Sequence, residues 1–317
     1  MMFLLLILGF VLLIKGADWL VDGASAVAKR FKIPDIVIGL TIVAFGTSAP
    51  ELIVNLFASF QGNTEIAIGN IVGSNIANIF LILGVAGIIY PLTVKSNTVW
   101  KEIPLSLLAA LVLGFMANDA LLDGREYSVL SRIDGLILLS FFVIFLYYTA
   151  LVAKNNREKS EQAVEEMPFG KSTLFIILGL IGLAAGGKLV VDSAVAIATW
   201  LGISQAVIGL TVVAIGTSLP ELMTSAIAAF KRKADIAIGN VVGSNIFNIF
   251  WILGISAFIR PLPFNPTANI DVIMVVLASF MLFIWMFIGK KHILQRWQSA
   301  AFLAVYGLYM VALVMRG

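Results

Sequence analysis

The sequence predicts an all-α polytopic membrane protein of about ten transmembrane helices, in two inverted five-helix repeats with N-terminus and C-terminus outside. Three observations carry this. Of the 317 residues 60% are hydrophobic and 12% charged, with a mean hydropathy of +1.02. Apolar stretches of about 20 residues, the length that crosses a bilayer, recur along the whole chain. A shift of 170 residues lays the chain on itself, so that 31 of the 49 positions in 36–84 are identical to those in 206–254 without a gap. With both termini outside, the inner loops hold 15 of the 21 basic residues and the outer loops four, as the positive-inside rule requires.

The expected spans are 1–28, 34–60, 66–90, 103–118 and 134–153, then 173–200, 205–230, 236–259, 270–289 and 297–315. The first lacks the basic front and small-residue cleavage site of a signal peptide, so it is expected to act as its own targeting signal. Its Gly9, Gly16, Val21 and Asp22 correspond to Gly179, Gly186, Val191 and Asp192 of the sixth. Lys15 and Lys188 lie within these two helices, three or four residues before Asp18 and Asp192, and local ion pairing or snorkelling accounts for them. Asp35, Glu65 and Asp235 stand at helix starts, where capping or the helix dipole favours an acid. Five spans per repeat is an odd number, so the second copy enters the membrane from the opposite side, as in secondary transporters. The division is therefore 1–153 for the first repeat, 154–172 (KNNREKSEQAVEEMPFGKS) for a polar cytoplasmic linker, and 173–317 for the second.

Composition also excludes. With no cysteine there are no disulfides and no thiolate ligands. His292 is the only histidine, and there is neither an HExxH run nor a serine–histidine pairing, so an enzyme is not expected, nor a bound cofactor. The net charge of +3 follows from membrane orientation and implies neither a nucleic-acid nor an obligate protein partner. The six tryptophans and ten methionines need only packing and interfacial anchoring.

What remains is a polar block repeated inside apolar spans. GTSAPEL at 46–52 returns as GTSLPEL at 216–222. Each copy carries one glutamate, Glu51 or Glu221, deep in a span, where an unbalanced carboxylate is expensive and marks a site. Pro50 and Pro220 remove a backbone donor. With Gly46 and Gly216 they are expected to break the helix and free carbonyls, which are tolerated at that depth only against a cavity or an ion. Thr47, Ser48, Thr217 and Ser218 add hydroxyl oxygens. An oxygen-only donor set suits hard cations such as Ca²⁺ and Na⁺. On the next helix of each half Asn70, Ser74 and Asn78, and Asn240, Ser244 and Asn248, recur every four residues as a polar stripe. Ser74, Ser244, Asn78 and Asn248 are read as part of the site. Asn70, Asn75, Asn240 and Asn245 are open between ion binding and helix-to-helix hydrogen bonding, and the pairs Gly69/Gly73 and Gly239/Gly243 are read as packing surfaces. Two oppositely oriented ion blocks favour a carrier over a passive cation channel.

GTSxPE followed by GNxxGSNIxN, once in each half and spanning essentially the whole chain, resembles the sodium/calcium exchanger family within the cation/calcium antiporters. The resemblance implies antiport of Ca²⁺ against Na⁺, with H⁺ as the alternative coupling ion, in a cell (inner or plasma) membrane. It implies ligand roles for Glu51, Glu221, Thr47, Thr217, Ser48, Ser218, Ser74, Ser244, Asn78 and Asn248, and for the backbone carbonyls of Ala44 and Ala214. It also implies that the first and sixth helices slide across the other eight. Sodium/calcium exchangers often carry Asp where this chain has Asn248, and the symmetric Asn78/Asn248 pair resembles the proton/calcium branch. The linker is too short for the cytoplasmic regulatory domain of animal exchangers, which makes the resemblance one to the prokaryotic type.

Overall fold

The computed structural model describes residues 2–155, 167–201 and 216–316. Its helices are α1 (Met2–Phe31), α2 (Asp35–Thr47), α3 (Ala49–Gln61), α4 (Thr64–Ile89), α5 (Thr98–Met116), α6 (Arg132–Asn155), α7 (Phe169–Trp200), α8 (Leu219–Phe230), α9 (Ala234–Ile259), α10 (Pro266–Trp285) and α11 (Arg296–Arg316). Among the described residues eight helices are long and apolar enough to cross a membrane, or nine if the bent pair α2–α3 is one span. Residues 202–215, the first part of the expected 205–230 span, lie outside the described residues, and so does 156–166 of the expected linker.

Helix ends depart from expectation where charged residues flank the apolar stretches. α6 runs on to Asn155 and α7 begins at Phe169, just after Pro168 (φ −53°, ψ 140°). Phe169 stacks edge-on against Phe31 at 5.7 Å, and Lys171 lies over the Phe175 ring at 5.5 Å. The apolar stem of such a lysine lets the helix extend beyond the uncharged stretch. Two small antiparallel ribbons join connecting segments: β1 (Leu92–Thr93) pairs with β4 (Ile293–Leu294), and β2 (Ser128–Leu130) with β3 (Leu262–Phe264).

Burial separates the helices into a centre and a surround. In α4 and α9, 78% of the span is buried, against 22–39% in the other long spans. α3 packs on α4, α2 on α9, and α8 on both, while α6, α10 and α11 cover the outside. α1 and α7 form a pair of their own along their length. Glycine permits this pairing: a Cβ on Gly16 would fall 2.7 Å from Leu183 N and 2.8 Å from Gly179 O, and one on Gly179 2.7 Å from Leu20 N. Gly239 and Gly243 likewise let α9 approach the backbone of α2 at Ile36 and Leu40, the close packing expected of them.

The charges on α1 and α7 divide. Lys188 and Asp192 pair at 2.9 Å within α7 as expected. Asp18 and Asp22 do not pair locally: both hold Lys231, at the end of α8, at 2.6 Å. An ammonium reaching from another helix meets two carboxylates at once, which one lysine on the same face does not. The acids at helix starts also pair across elements, Asp235 with Lys95 at 2.9 Å and Asp35 with Lys233 at 3.6 Å.

Candidate cation site

The break predicted from proline and glycine is present. α2 and α3 meet at an angle of 47° across Ser48, whose φ of −80° and ψ of 8° leave the helical region. Ser218 before α8 has nearly the same conformation, φ −87° and ψ 5°. Pro50 and Pro220 sit at the starts of α3 and α8, where a missing donor costs nothing. Each glutamate therefore lies in the first turn of a helix that begins inside the protein, at the end whose free N–H groups favour negative charge. Gly46 is pressed against Leu180 and Gly216 against Val191, so α7 backs both breaks.

Glu51 and Glu221 are each 1% exposed. Their hydrogen bonds cross between the halves: Ser48 Oγ donates to Glu221 Oε1 at 2.9 Å, and Ser218 Oγ to Glu51 Oε1 at 3.3 Å. Ser74 Oγ also donates to Glu51 Oε1 at 3.3 Å and lies 3.2 Å from Ser218 Oγ. The threonines cross as well. Thr47 Oγ1 donates to Asn240 Oδ1 at 3.0 Å and approaches Ala44 O at 3.3 Å, and Thr217 Oγ1 donates to Asn70 Oδ1 at 3.5 Å. One polar centre is thus built from both repeats. Ala44 O also accepts from Ser48 N at 3.0 Å; Ala214 lies outside the described residues.

Among the described residues, the second oxygen of each acid, Glu51 Oε2 and Glu221 Oε2, is buried without a hydrogen-bond partner, and so are Asn78 Oδ1, Asn248 Oδ1 and Ser244 Oγ. Neither glutamate has an ion-pair partner among the described residues. Orphaned buried acceptors cost about 1–3 kcal/mol each and more when charged, and an isolated buried carboxylate costs several. A cation coordinated by oxygen offsets that cost. Four carboxylate and amide acceptors without donors among the described residues, beside serine and threonine hydroxyls, have the oxygen-only chemistry that suits a hard cation.

The structure adds Asn55 and Ser225 to the residues read from sequence. Asn70 donates to Asn55 Oδ1 at 2.8 Å and to Glu51 O at 3.5 Å. Its counterpart Asn240 donates to Ser225 Oγ at 3.0 Å and Glu221 O at 3.3 Å. Asn70 and Asn240 thereby tie each glutamate's backbone to the opposite threonine. Asn55 and Ser225 occupy matching positions four residues after the glutamates, a polar signal on apolar helices that would have found them. α4 and α9 widen into π turns at Asn78–Ile82 and Phe247–Leu253, a distortion frequent at functional sites that no spacing rule reveals. A further buried acid, Glu102, takes the Tyr148 hydroxyl hydrogen bond.

A family model described as sodium/calcium exchanger protein matches residues 1–151 and 171–315. Inner membrane protein YrbG of Escherichia coli is 40% identical over 293 residues, covering 89% of this chain and 88% of its own. Sodium/calcium exchanger MaX1 of Methanosarcina acetivorans is 33% identical over 343 residues, covering 98% of each. The solved structure of the sodium-calcium exchanger NCX_Mj soaked with 2.5 mM Na⁺ and 10 mM Sr²⁺ has a TM-score of 0.83 at 37% identity, covering 98% of this chain and 99% of that one.

Proposed function

The chain belongs to the sodium/calcium exchanger family, and from that premise we propose that it exchanges Ca²⁺ for Na⁺ by alternating access. The exchange takes place in a cell (inner or plasma) membrane, at one site near the bilayer midplane. The observation that carries this is the set of buried, donor-free oxygens of Glu51, Glu221, Asn78 and Asn248. Thr47, Ser48, Ser74, Thr217, Ser218 and Ser244 complete the ligand set, with the carbonyls of Ala44 and Ala214. Two carboxylates balance one Ca²⁺ or two Na⁺, so the two loads compete for the same oxygens. A third Na⁺ makes each cycle electrogenic.

Ten spans in two inverted repeats, 1–153 and 173–317, with both termini outside, set the two halves of this site facing opposite ways. The charge count of 15 inside against four outside supports that orientation. α1 and α7, paired through glycines and set apart from the α4–α9 centre, are the elements that move across it. The amide at Asn248, where an acid is common in sodium/calcium exchangers, favours H⁺/Ca²⁺ exchange as the second reading. Ca²⁺ uptake into proteoliposomes under separately imposed Na⁺ and H⁺ gradients decides. Uptake driven by an outward Na⁺ gradient at matched pH is the expected result, and uptake driven only by a pH gradient would establish the second reading.

A further inference from the structure

We infer that Asn75 and Asn245 are positioning residues that force Asn78 and Asn248 to present oxygen, never amide hydrogen, to the cation. The inference rests on the proposed reading of the site. All four asparagines are at most 1% exposed, and they form a closed network across α4 and α9. Asn75 Nδ2 donates to Asn245 O at 3.2 Å, and Asn245 Nδ2 to Asn75 O at 3.4 Å. Those two acceptors are backbone carbonyls, which cannot act as donors. The amide ends facing them must therefore be nitrogen.

The opposite ends of Asn75 and Asn245 are then necessarily oxygen, and each receives a neighbour. Asn248 Nδ2 donates to Asn75 Oδ1 at 2.9 Å, and Asn78 Nδ2 to Asn245 Oδ1 at 2.9 Å. With their nitrogens committed there, Asn78 Oδ1 and Asn248 Oδ1 are the atoms left buried without a donor. Reversing either amide would set oxygen against oxygen in the network and turn an NH₂ group toward a positive ion. The polarity of the shell is thus set by two main-chain carbonyls and relayed through residues that touch no ion. This also resolves the two roles open for Asn75 and Asn245: they join the helices, and by doing so they aim the ligands.

The test is a double-mutant cycle in the full-length protein, with Ca²⁺ uptake into Na⁺-loaded proteoliposomes as readout. Freed of its anchor, the Asn78 amide turns over, and Asn245→Leu should raise the KM for Ca²⁺ about tenfold or more. Asn78→Ala removes the aimed oxygen, so adding Asn245→Leu to it should raise KM no further, because coupled residues are not additive. Asn75→Leu with Asn248→Ala forms the same cycle on the other side and serves if Asn245→Leu does not fold. A parent-like KM in the leucine variants, or effects that multiply in the doubles, would overturn the inference. Glu51→Gln is the control: if it alone transports normally, the site reading itself fails and this inference with it. If it is inactive while the leucine variants are parent-like, only the aiming role fails.

Discussion

Replacing Glu51 by Gln changes charge with almost no change in packing, and the structure sets what should follow. Glu51 Oε1 accepts from Ser74 and Ser218 at 3.3 Å each, and the amide oxygen of Gln can keep both. The NH₂ group then takes the place of Oε2, which has no partner to lose. Folding should therefore survive, and thermal unfolding in detergent should stay near the parent value. The cation loses one ligand and half of its countercharge, and meets a donor instead. Removing one partner from a buried charge pair costs about 3–5 kcal/mol, which weakens Ca²⁺ binding hundreds- to thousands-fold. Glu221→Gln should match it, since Ser48 can still donate to the remaining oxygen at 2.9 Å. The assay is initial Ca²⁺ uptake into Na⁺-loaded proteoliposomes across a range of Ca²⁺ concentrations. Uptake at the parent rate with parent half-saturation would mean that Glu51 does not balance the ion, because a site with one carboxylate leaves Ca²⁺ at net +1 in a low-dielectric interior.

Asn248→Asp should make Ca²⁺ transport more dependent on pH around and above neutrality. A carboxylate cannot replace the amide's donation to Asn75 Oδ1 unless it carries a proton, and uptake measured from pH 6 to 9 should depend on pH more steeply in the variant than in the parent. Gly179→Leu should separate α1 from α7, since the new Cβ would meet Leu20 N at 2.7 Å and Gly16 O at 2.8 Å, backbone atoms that cannot turn aside. A loss of about 1–3 kcal/mol, read as a lower unfolding temperature together with lost uptake, is the expected outcome. Lys231→Met removes the ionic tie between α1 and α8, the cation shared by Asp18 and Asp22. These groups are partly exposed, so stability should fall by no more than about 1 kcal/mol. The turnover rate should change while half-saturation by Ca²⁺ does not.

The parts of this molecule that read directly from sequence are those governed by short-range rules. Glutamate beside proline in an apolar run announces both a broken helix and a charge that needs a partner, and α2 and α3 part at Ser48 where that rule places the break. A four-residue spacing puts Ser74 one turn from Asn78, and the same spacing pairs Lys188 with Asp192. The same kind of rule missed the partner of Asp18 and Asp22, because Lys231 arrives from more than 200 residues away and no periodicity connects them. Thr47 meeting Asn240, and Ser218 meeting Glu51, follow from how two halves interlock rather than from either half alone. The repeat showed which residues are equivalent without showing that each reaches across to the other copy's acid. Direction was also hidden. An asparagine in a sequence is donor and acceptor at once, and only the carbonyls of Asn75 and Asn245 decide which end faces the site.

Whether both halves hold one cation is read from a crystal soaked in Sr²⁺ or Ca²⁺. A main anomalous peak should lie with carboxylate oxygens of Glu51 and Glu221 both within the roughly 2.3–2.6 Å of Ca²⁺–oxygen bonds, slightly longer for Sr²⁺, and should be lost in Glu51→Gln. A main peak that touches only one glutamate, or that persists unchanged in the variant, would contradict a shared site.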